Sequence, residues 1–327
     1  MKDRYGRHIN YLRLAVTDRC NLRCHYCMPE EGIKYIPKAE LLTYEEMLRL
    51  VQVLSAEGVD KLRLTGGEPF VRKDLIGFLK EVRSKTDIQS LNMTTNGTLC
   101  KAHLEDIKDL NFNSINLSLD TLDEGRFFEI ARREGLADVL YSMDAFLQMP
   151  LKLKVNMVVM SDVNTEDLIP MALLAKDKDL SVRFIEEMPF NGGTHRPSGQ
   201  SLSYRDIILR LQAHFGDLEL IPSAHGATAM EYRVKGFKGT LGVIPAYSRT
   251  FCGSCNRLRI TAQGLLKTCL YDKGIFDLKA ILRNGATDSM LRDTIIQAVQ
   301  HKAKDGFEAE KERFDSTIME SMSTIGG

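Results

Sequence analysis

The sequence has no excess of either charge and no long hydrophobic run. Its 44 Lys and Arg residues balance 44 Asp and Glu residues, so the formal net charge at pH 7 is zero. This balance disfavours a nucleic-acid partner, because an excess of positive charge drives binding to phosphate backbones. No apolar stretch approaches the roughly 18 residues that cross a membrane, and residues 1–16 lack the apolar core of a signal peptide. We therefore expect a cytoplasmic protein with no membrane partner and no nucleic-acid partner.

The seven cysteines are odd in number and unevenly spaced, unlike a disulfide framework. They form two groups of three and one isolated residue: Cys20, Cys24 and Cys27; Cys252, Cys255 and Cys269; and Cys100. A chain of 327 residues can bury a sizeable core and does not need disulfide staples. Groups that contain a C-x-x-C pair are typical of metal ligands in a reducing compartment. The sequence therefore predicts two three-cysteine metal sites and a structural thiol at Cys100.

Short apolar runs alternate with helical patterns from residue 12 to residue 186, which predicts an α/β fold of βα units around a parallel sheet. The predicted strands are Leu12–Thr17, Lys61–Thr65, Ser90–Thr94, Ser114–Ser118, Leu153–Val159 and Ser181–Glu186. The predicted helices between them are Tyr44–Glu57, Asp74–Ser84, Lys101–Leu110, Asp138–Met149 and Glu166–Lys176. Parallel strands of this kind are expected to be apolar runs, and six of them form an incomplete barrel or an open twisted sheet.

The βα alternation ends near residue 190, which predicts two domains, residues 1–190 and residues 191–327. The second domain is expected to be irregular apart from helices at Tyr204–His214, Asp277–Arg283 and Asp288–Lys304. In parallel sheets of this class, function gathers at the C-terminal ends of the strands. Small and polar residues follow several predicted strands, at residues 66–68, at residues 94–97 and at Ser118. We therefore expect the active site at this end of the sheet.

The first cysteine group directly follows the first predicted strand, with the spacing C-x3-C-x2-C. Three thiolates can hold three irons of a 4Fe-4S cluster and leave the fourth iron open to a ligand. A structural zinc ion is the alternative, but it normally takes a fourth protein ligand. His25 lies between two of the cysteines and is poorly placed for that role. The spacing favours an iron-sulfur cluster with one open iron.

Zinc is a stronger alternative for the second cysteine group, because C-x2-C pairs are common in zinc ribbons and His214 or His225 would supply a fourth ligand. Two arginines, Arg257 and Arg259, follow Cys255. Residues two apart on an extended segment project to the same side. Paired guanidinium groups suit phosphate and purine oxygens, so a nucleotide is an expected ligand. A solvent-exposed arginine pair is the structural alternative.

The cysteine loop after a strand, followed by Gly66-Gly67-Glu68-Pro69 after the next strand, resembles the radical S-adenosylmethionine (radical SAM) superfamily. The resemblance implies a partial (β/α)6 barrel with a 4Fe-4S cluster on Cys20, Cys24 and Cys27. It also implies that S-adenosylmethionine binds the open iron and is cleaved to a 5′-deoxyadenosyl radical. In such enzymes the cofactor performs the difficult chemistry, and the protein orients it.

Further motifs extend the resemblance to the GTP cyclases that begin molybdenum cofactor biosynthesis. These motifs are TTNG at residues 94–97, INLSLD at 115–120, VRFIEEMP at 182–189, FCGSCNRLRIT at 251–261 and the final Gly-Gly. The resemblance implies conversion of GTP to 3′,8-cyclo-7,8-dihydro-GTP. It also implies a second 4Fe-4S cluster on Cys252, Cys255 and Cys269 in a C-terminal domain. Two alternatives stay open: another radical SAM enzyme with an auxiliary cluster, such as a peptide-modifying maturase, and a zinc-stabilised binding module.

The resemblance also implies roles for individual residues. The residues implied to contact S-adenosylmethionine are Tyr26, Gly67, Ser118 and Met188. The residues implied to bind GTP are Arg13, Arg63, Thr94, Lys154, Arg257, Leu258 and Arg259, with Arg183 in support. Arg257, Arg259, Gly326 and Gly327 are implied to act in catalysis. The implied partners are an electron donor such as flavodoxin or ferredoxin, cyclic pyranopterin monophosphate synthase as the next enzyme, and a second copy in a homodimer.

Overall fold

Every second side chain of the central strands is apolar and buried, and these side chains build the core. In strand Lys152–Val159, Leu153 and Val155 are buried, whereas Lys154 and Asn156 are partly exposed. Successive side chains of a strand point to opposite faces, so one face of the sheet is apolar and the other is polar. This alternation corrects the expectation of purely apolar strands. The buried polar side chains on the other face need hydrogen-bond partners within the protein or in a bound ligand.

The computed structural model describes residues 1–190, 202–312 and 320–326. The strands in these residues are β1 Tyr11–Ala15, β2 Lys61–Thr65, β3 Ser90–Thr95, β4 Ser114–Ser118, β5 Lys152–Val159, β6 Ser181–Glu186, β7 Glu219–Ile221, β8 Met230–Arg233, β9 Thr240–Ile244, β10 Arg257–Ile260, β11 Leu265–Lys267 and β12 Phe276–Asp277. The helices are α1 Tyr44–Ala56, α2 Leu75–Lys85, α3 Leu104–Asp109, α4 Glu124–Ala131, α5 Leu136–Leu147, α6 Leu168–Asp177, α7 Tyr204–Phe215, α8 Leu278–Arg283, α9 Asp288–Gln300, α10 Gly306–Lys311 and α11 Met322–Ile325. None of these helices is long and apolar enough to cross a membrane.

The strands form one mixed sheet in the order β12-β11-β10-β1-β2-β3-β4-β5-β6-β9-β8-β7. Strands β1 to β6 are parallel and adjacent in chain order, which confirms the predicted βα units. Strand β10 pairs in parallel with β1, and β9 pairs in parallel with β6. Residues after 190 therefore extend both edges of the sheet that the first 190 residues form. Antiparallel strands complete each edge.

The predictions of single elements hold best in the first half of the chain. Strands β2, β4 and β6 have the predicted bounds, while helix α4 was not predicted. The expectation of an irregular second half is wrong, because β7 to β12 lie there. These strands have two to five residues each, too few to display an alternating pattern. The predicted boundary near residue 190 stays a prediction, and residues 191–201 lie outside the described residues.

The apolar face of the sheet packs against helices in one continuous core. Leu12 of β1 and Leu258 of β10 are register partners, and both are fully buried in this core. Helix α9 packs on α1, and Arg49 of α1 bonds to Asp288 of α9 through Nε and Oδ1, 2.7 Å apart. The second half of the chain is thus joined to the first through the sheet and through the helices.

Replacing Leu258 with Ala is expected to lower the free energy of unfolding by about 2 to 5 kcal/mol, because it opens a cavity at the junction of β1 and β10. Leu209 in α7 is 62% exposed and provides the matched control. Leu209→Ala is expected to change stability by less than about 0.5 kcal/mol. Urea unfolding followed by circular dichroism measures both variants. Equal stability of the two variants would contradict the packing described here.

Candidate active site

Three cysteines line a cavity at the C-terminal ends of the parallel strands. Cys20, Cys24 and Cys27 lie in the loop after β1, and all three border the cavity. Residues that follow β2, β3, β4 and β6 complete its wall. The cavity has a volume of about 200 Å³. The location is the one expected for a site in a parallel sheet.

Gly66 and Gly67 allow the chain after β2 to approach the cysteine loop closely. The Gly67 amide donates to the carbonyl of Thr17 at 2.9 Å, and the Glu68 amide donates to the carbonyl of Arg19 at 2.8 Å. A Cβ on Gly67 would lie 2.2 Å from the Arg19 oxygen, a distance that no real contact shows. Gly66 also has a φ of +146°, which side chains disfavour. Both positions require glycine because the backbone of the cysteine loop occupies the space where a side chain would begin.

Glu68 joins the same turn to the end of β3. Its carboxylate accepts hydrogen bonds from Thr95 Oγ1 at 2.9 Å, from the Asn96 amide at 2.7 Å and from the Phe70 amide at 3.2 Å. Burial raises the pKa of Glu68 to about 7 despite these donors. The Asn96 side chain in turn donates to Asn21 of the cysteine loop at 2.9 Å. The resemblance implies that the motif at residues 66–69, which contains Glu68, contacts the methionyl amino group of S-adenosylmethionine, but no periodic signal in the sequence marks Glu68 as a buried carboxylate.

Burial disfavours ionisation of the thiols in the first cysteine group. Burial raises the pKa of Cys20 to about 12, with a further contribution from Glu68. Burial also raises the pKa of Cys24 and of Cys27. A metal centre ionises the thiols that coordinate it. These buried thiols therefore suit the role of cluster ligands better than that of reactive thiolates, which are solvent-exposed.

The side chains of both cysteine groups are not arranged around a single ion. Among the described residues, no three His, Cys, Asp or Glu side chains converge as one metal ion requires. A zinc ion gathers its ligands around one point, whereas a 4Fe-4S cluster spreads three thiolates over three irons. His214 and His225 are exposed.

The four residues expected to contact S-adenosylmethionine border the same cavity. Tyr26, Gly67, Ser118 and Met188 all line it. Tyr26 donates through its hydroxyl to Asp120 at 2.9 Å, and burial raises the pKa of Asp120 to about 6.

Asn156 adds an unpaired acceptor to this cavity wall. Its buried Oδ1 has no hydrogen-bond partner among the described residues. A buried amide oxygen without a donor costs free energy, which a bound ligand with an N–H or O–H group would recover. Sequence reasoning did not single out Asn156.

A layer of seven cationic side chains covers the polar face of the sheet beside this cavity. Its members are Arg13, Lys61, Arg63, Lys154, Arg183, Arg257 and Arg259, and we call it the cation layer. Arg13 is the register partner of Arg259 on one side and of Arg63 on the other. Register partners in neighbouring strands lie on the same face. The structure therefore brings together the cationic residues expected to bind substrate.

The cations in this layer repel one another. Burial and the neighbouring Arg259 lower the pKa of Arg13 to about 9. Burial and Arg183 lower the pKa of Lys154 to about 7. One carboxylate, Glu231, bonds to Arg183. A polyanion placed on this layer would stabilise the charged form of every member.

The members of the layer differ in how their hydrogen-bonding capacity is used. Arg63 is almost fully buried and donates to Tyr11 Oη at 2.7 Å, to Ser114 Oγ at 2.9 Å and to the Met93 carbonyl at 2.5 Å. Its charge reaches the face, but its donors are engaged within the protein. A more distant contact of 3.5 Å joins Arg63 to Thr94, which also borders the cavity.

Leu258 stands apart from the other residues expected to bind substrate. Its side chain lies in the core on the opposite face of β10 from Arg257 and Arg259. Any contact with a ligand is limited to its backbone.

The second cysteine group lies at one end of the cation layer. Cys252 begins a short 3₁₀ turn, Cys255 precedes β10 and Cys269 follows β11. Burial raises the pKa of Cys252 and of Cys269. Burial opposes ionisation of Cys255 too, but the charges of Lys302 and Arg257 outweigh it and lower the pKa of this thiol to about 6.

The described C-terminal residues connect the first cysteine group to the cation layer. Ser321 donates through Oγ to the carbonyl of Cys27 at 2.7 Å. Five residues later, the carbonyl of Gly326 accepts a hydrogen bond from Arg259 Nη1 at 2.9 Å. Gly326 has a φ of +73°, and a Cβ there would lie 2.6 Å from Thr65 Oγ1. Gly327 lies outside the described residues.

Replacing Gly67 with Ala is expected to displace the cysteine loop, because the new Cβ overlaps the Arg19 carbonyl. We expect at least a tenfold loss of iron retention by the first cysteine group, in the range of about 10- to 100-fold seen for supporting residues of metal sites. Gly77→Ala is the control, since nothing lies within 4 Å of a Cβ at that exposed position. Iron analysis after anaerobic reconstitution compares the variants. Normal iron content in Gly67→Ala would contradict the close approach.

Two family profiles match adjacent parts of the chain. The radical SAM superfamily matches residues 14–175, and the family described as Molybdenum Cofactor Synthesis C matches residues 180–307. Superfamily membership implies one 4Fe-4S cluster and S-adenosylmethionine. The crystal structure of Streptococcus suis SuiB bound to precursor peptide SuiA has a TM-score of 0.59 and 14% identity, covering 97% of this chain and 75% of that chain. This likeness shows the fold alone.

Relatives of higher identity share both parts. GTP 3′,8-cyclase of Desulforamulus reducens is 41% identical over 92% of this chain and 94% of its own length, and that of Pelotomaculum thermopropionicum is 39% identical over 100% of both. Molybdenum cofactor biosynthesis protein 1 of Drosophila melanogaster is 39% identical over 93% of this chain. The chain spans about half of the length of such animal relatives, 54% in that case. The chain belongs to the GTP 3′,8-cyclase family within the radical SAM superfamily.

Proposed function

We propose that the chain converts GTP to 3′,8-cyclo-7,8-dihydro-GTP, the first step of molybdenum cofactor biosynthesis. One observation carries the proposal: a cavity bordered by three cysteines and a layer of seven cations occupy the same face of one sheet. The first suits a cluster with S-adenosylmethionine, and the second suits a triphosphate. Thr94 borders both. Their proximity is what a radical reaction on a nucleotide requires.

The first cavity fits its cofactors. Cys20, Cys24 and Cys27 would hold three irons of a 4Fe-4S cluster, leaving one iron for S-adenosylmethionine. When bound, these groups supply a 5′-deoxyadenosyl radical. Asn156 offers its unpaired amide oxygen to a donor of the ligand. Met188 and the closely packed Gly67 limit the space around the ligand and help to exclude water.

The cation layer would bind the triphosphate and orient the nucleotide. A triphosphate carries about four negative charges, which offset the mutual repulsion of the cations. Lys154 has no hydrogen bond to another side chain or carbonyl among the described residues, so its donors are available to a phosphate. Holding the ribose 3′ carbon near the radical and the guanine carbon 8 near the resulting ribose radical is the main task of these residues.

We further propose a second 4Fe-4S cluster on Cys252, Cys255 and Cys269. Support comes from the neighbouring unsatisfied groups: Asn256 Oδ1 and Arg257 Nε are buried without a hydrogen-bond partner in the described residues. A bound guanine offers both acceptors and donors to such groups. With three protein ligands, one iron would stay open to the nucleotide.

The proposed architecture is a partial barrel closed by a C-terminal domain. Lys154 of β5 is influenced by the charges of Lys61 and Arg63 of β2, although two strands, β3 and β4, lie between β2 and β5 in the sheet. A flat sheet would hold these side chains far apart, since strands are about 4.8 Å apart. The curvature supports the barrel. An electron donor such as flavodoxin or ferredoxin, the next enzyme of the pathway and a second copy of the chain are the proposed partners.

An anaerobic assay with GTP, S-adenosylmethionine and dithionite tests the proposed function. We expect 5′-deoxyadenosine together with a product of the same mass as GTP. Cys252→Ala should abolish the cyclised product, whereas Cys100→Ala serves as the control because this thiol is buried outside both cysteine groups. 5′-Deoxyadenosine without consumption of GTP would favour a different radical SAM enzyme, such as a peptide-modifying maturase. A colourless protein that binds zinc would overturn both.

The affinity for GTP is expected to fall as pH rises through 7. Lys154 is cationic below its pKa of about 7 and loses its attraction for phosphate above that pH. Burial opposes ionisation of Tyr11, but the adjacent cations outweigh it and lower the pKa of this phenol to about 7, so repulsion appears in the same range. Bound phosphate favours protonated Lys154, so binding takes up protons.

Equilibrium dialysis at pH 6.5 to 8.5 measures this dependence. Lys154→Arg stays charged at every pH tested. Across the range its affinity for GTP is therefore expected to fall about threefold to tenfold less than that of the parent. Lys154→Met should bind weakly at every pH. The ionisation of GTP itself affects all variants equally, so the comparison uses the difference in affinity between each variant and the parent at the same pH. Identical pH profiles for Lys154→Arg and the parent would refute the assignment.

Deleting Gly326 and Gly327 is expected to abolish the cyclised product and to leave both clusters in place. The deletion removes the carbonyl that Arg259 binds, while Ser321 and its bond to Cys27 remain. Iron analysis and product analysis on the same sample separate these effects. Full product formation by the truncated chain would show that the terminal residues have no part in the reaction.

A further inference from the structure

A buried lysine joins the two segments that carry the second cysteine group. Lys302 follows helix α9 and is only 2% exposed. Its Nζ donates to the carbonyl of Arg257 at 3.1 Å and to the carbonyl of Thr268. Arg257 lies two residues after Cys255, and Thr268 immediately precedes Cys269. One ammonium group therefore fixes the distance between two segments that are separate in sequence.

The two carbonyls do not balance the charge of Lys302. A buried ammonium group is costly unless an anion lies nearby, because neutral dipoles only partly replace water. The acidic groups nearest in the chain serve other contacts: Asp272 accepts from the amides of Thr268 and Cys269 at 2.7 and 2.8 Å, and Asp305 caps helix α10. Lys302 exerts its charge on Cys255 and on Cys269. Asp272 provides one negative charge beside Cys269, and thiols ionised by a bound cluster would add further counter-charge.

We propose that Lys302 is a positioning residue for the second cluster, holding the Cys255 and Cys269 segments together and offsetting the negative charge of the thiolates. The inference rests on the proposed second cluster. It assigns to one lysine two effects: it stabilises the cluster against loss, and it makes the cluster easier to reduce. If the lysine only packed, removing its charge would not change the midpoint potential of the cluster, and an arginine at this position would not restore the properties lost with the lysine.

The test uses the full chain with Cys20→Ala, Cys24→Ala and Cys27→Ala, so that iron binds only at the second group. In this parent, Lys302→Met removes the charge at similar volume, and Lys302→Arg keeps it. Lys304→Met is the matched control, since Lys304 is exposed and two residues away. Iron release to a chelator and the midpoint potential in an anaerobic redox titration are measured for each, and circular dichroism verifies folding.

We expect Lys302→Met to release iron about 10- to 100-fold faster than the parent. We also expect its midpoint potential to fall, because removing a positive charge disfavours the added electron. Lys302→Arg should recover at least part of both properties, and Lys304→Met should match the parent. If Lys302→Met folds but holds no iron, recovery of iron by Lys302→Arg would support the role of the charge.

Three results would overturn the inference. An unchanged potential and unchanged iron release in Lys302→Met would show that the lysine only packs. Equal loss in Lys302→Met and Lys302→Arg would assign the effect to shape instead of charge. If the triple-cysteine parent binds no iron while the unmodified chain binds one cluster, the proposed second cluster does not exist. This result is distinguishable from the others because it is seen before Lys302 is changed.

Discussion

The crowding of like charges on one face of the sheet is the constraint on which the rest of the structure depends. Seven cations share this face because register partners such as Arg13, Arg63 and Arg259 are fixed by strand pairing. The apolar core on the other face supplies the stability that holds them there. Burial, with a further contribution from the neighbouring cations, lowers the pKa of Arg13 and of Lys154. Such a surface is organised for a polyanion before the polyanion arrives.

Hydrogen bonds and close backbone contacts connect the loops around the cavity with one another and with the cation layer. Glu68 ties the end of β3 to the turn after β2, and Gly67 lets that turn contact the cysteine loop. The C-terminal segment bridges both regions, from the carbonyl of Cys27 to the side chain of Arg259. This connection suits a reaction that needs radical source and nucleotide in fixed relative positions.

The sequence was sufficient for the elements with a clear period and for residues in contiguous motifs. Strands β2 and β4 alternate apolar with polar residues and stand between predicted helices, and the cysteine spacing limits the metal chemistry. The sequence analysis placed Arg257 and Arg259 of β10 on an extended segment, but it did not predict the other short strands of the second half, β7 to β9, β11 and β12. The pattern of the sequence also did not indicate the surroundings of Glu68, Asn156 and Lys302, because the contacts of a single polar residue depend on neighbours distant in sequence. The internal hydrogen bonds of Arg63 likewise depend on strands distant in sequence.

The central claim is that the cation layer is built for a triphosphate, and thermal unfolding with a ligand series tests it most directly. A ligand that binds only the folded state raises the unfolding midpoint according to its affinity. The account predicts shifts in the order GTP, GDP, GMP, guanosine, with the largest shift for GTP and a reduced one in Lys154→Met. Equal shifts for guanosine and GTP would contradict it, because the base alone would then supply the binding free energy.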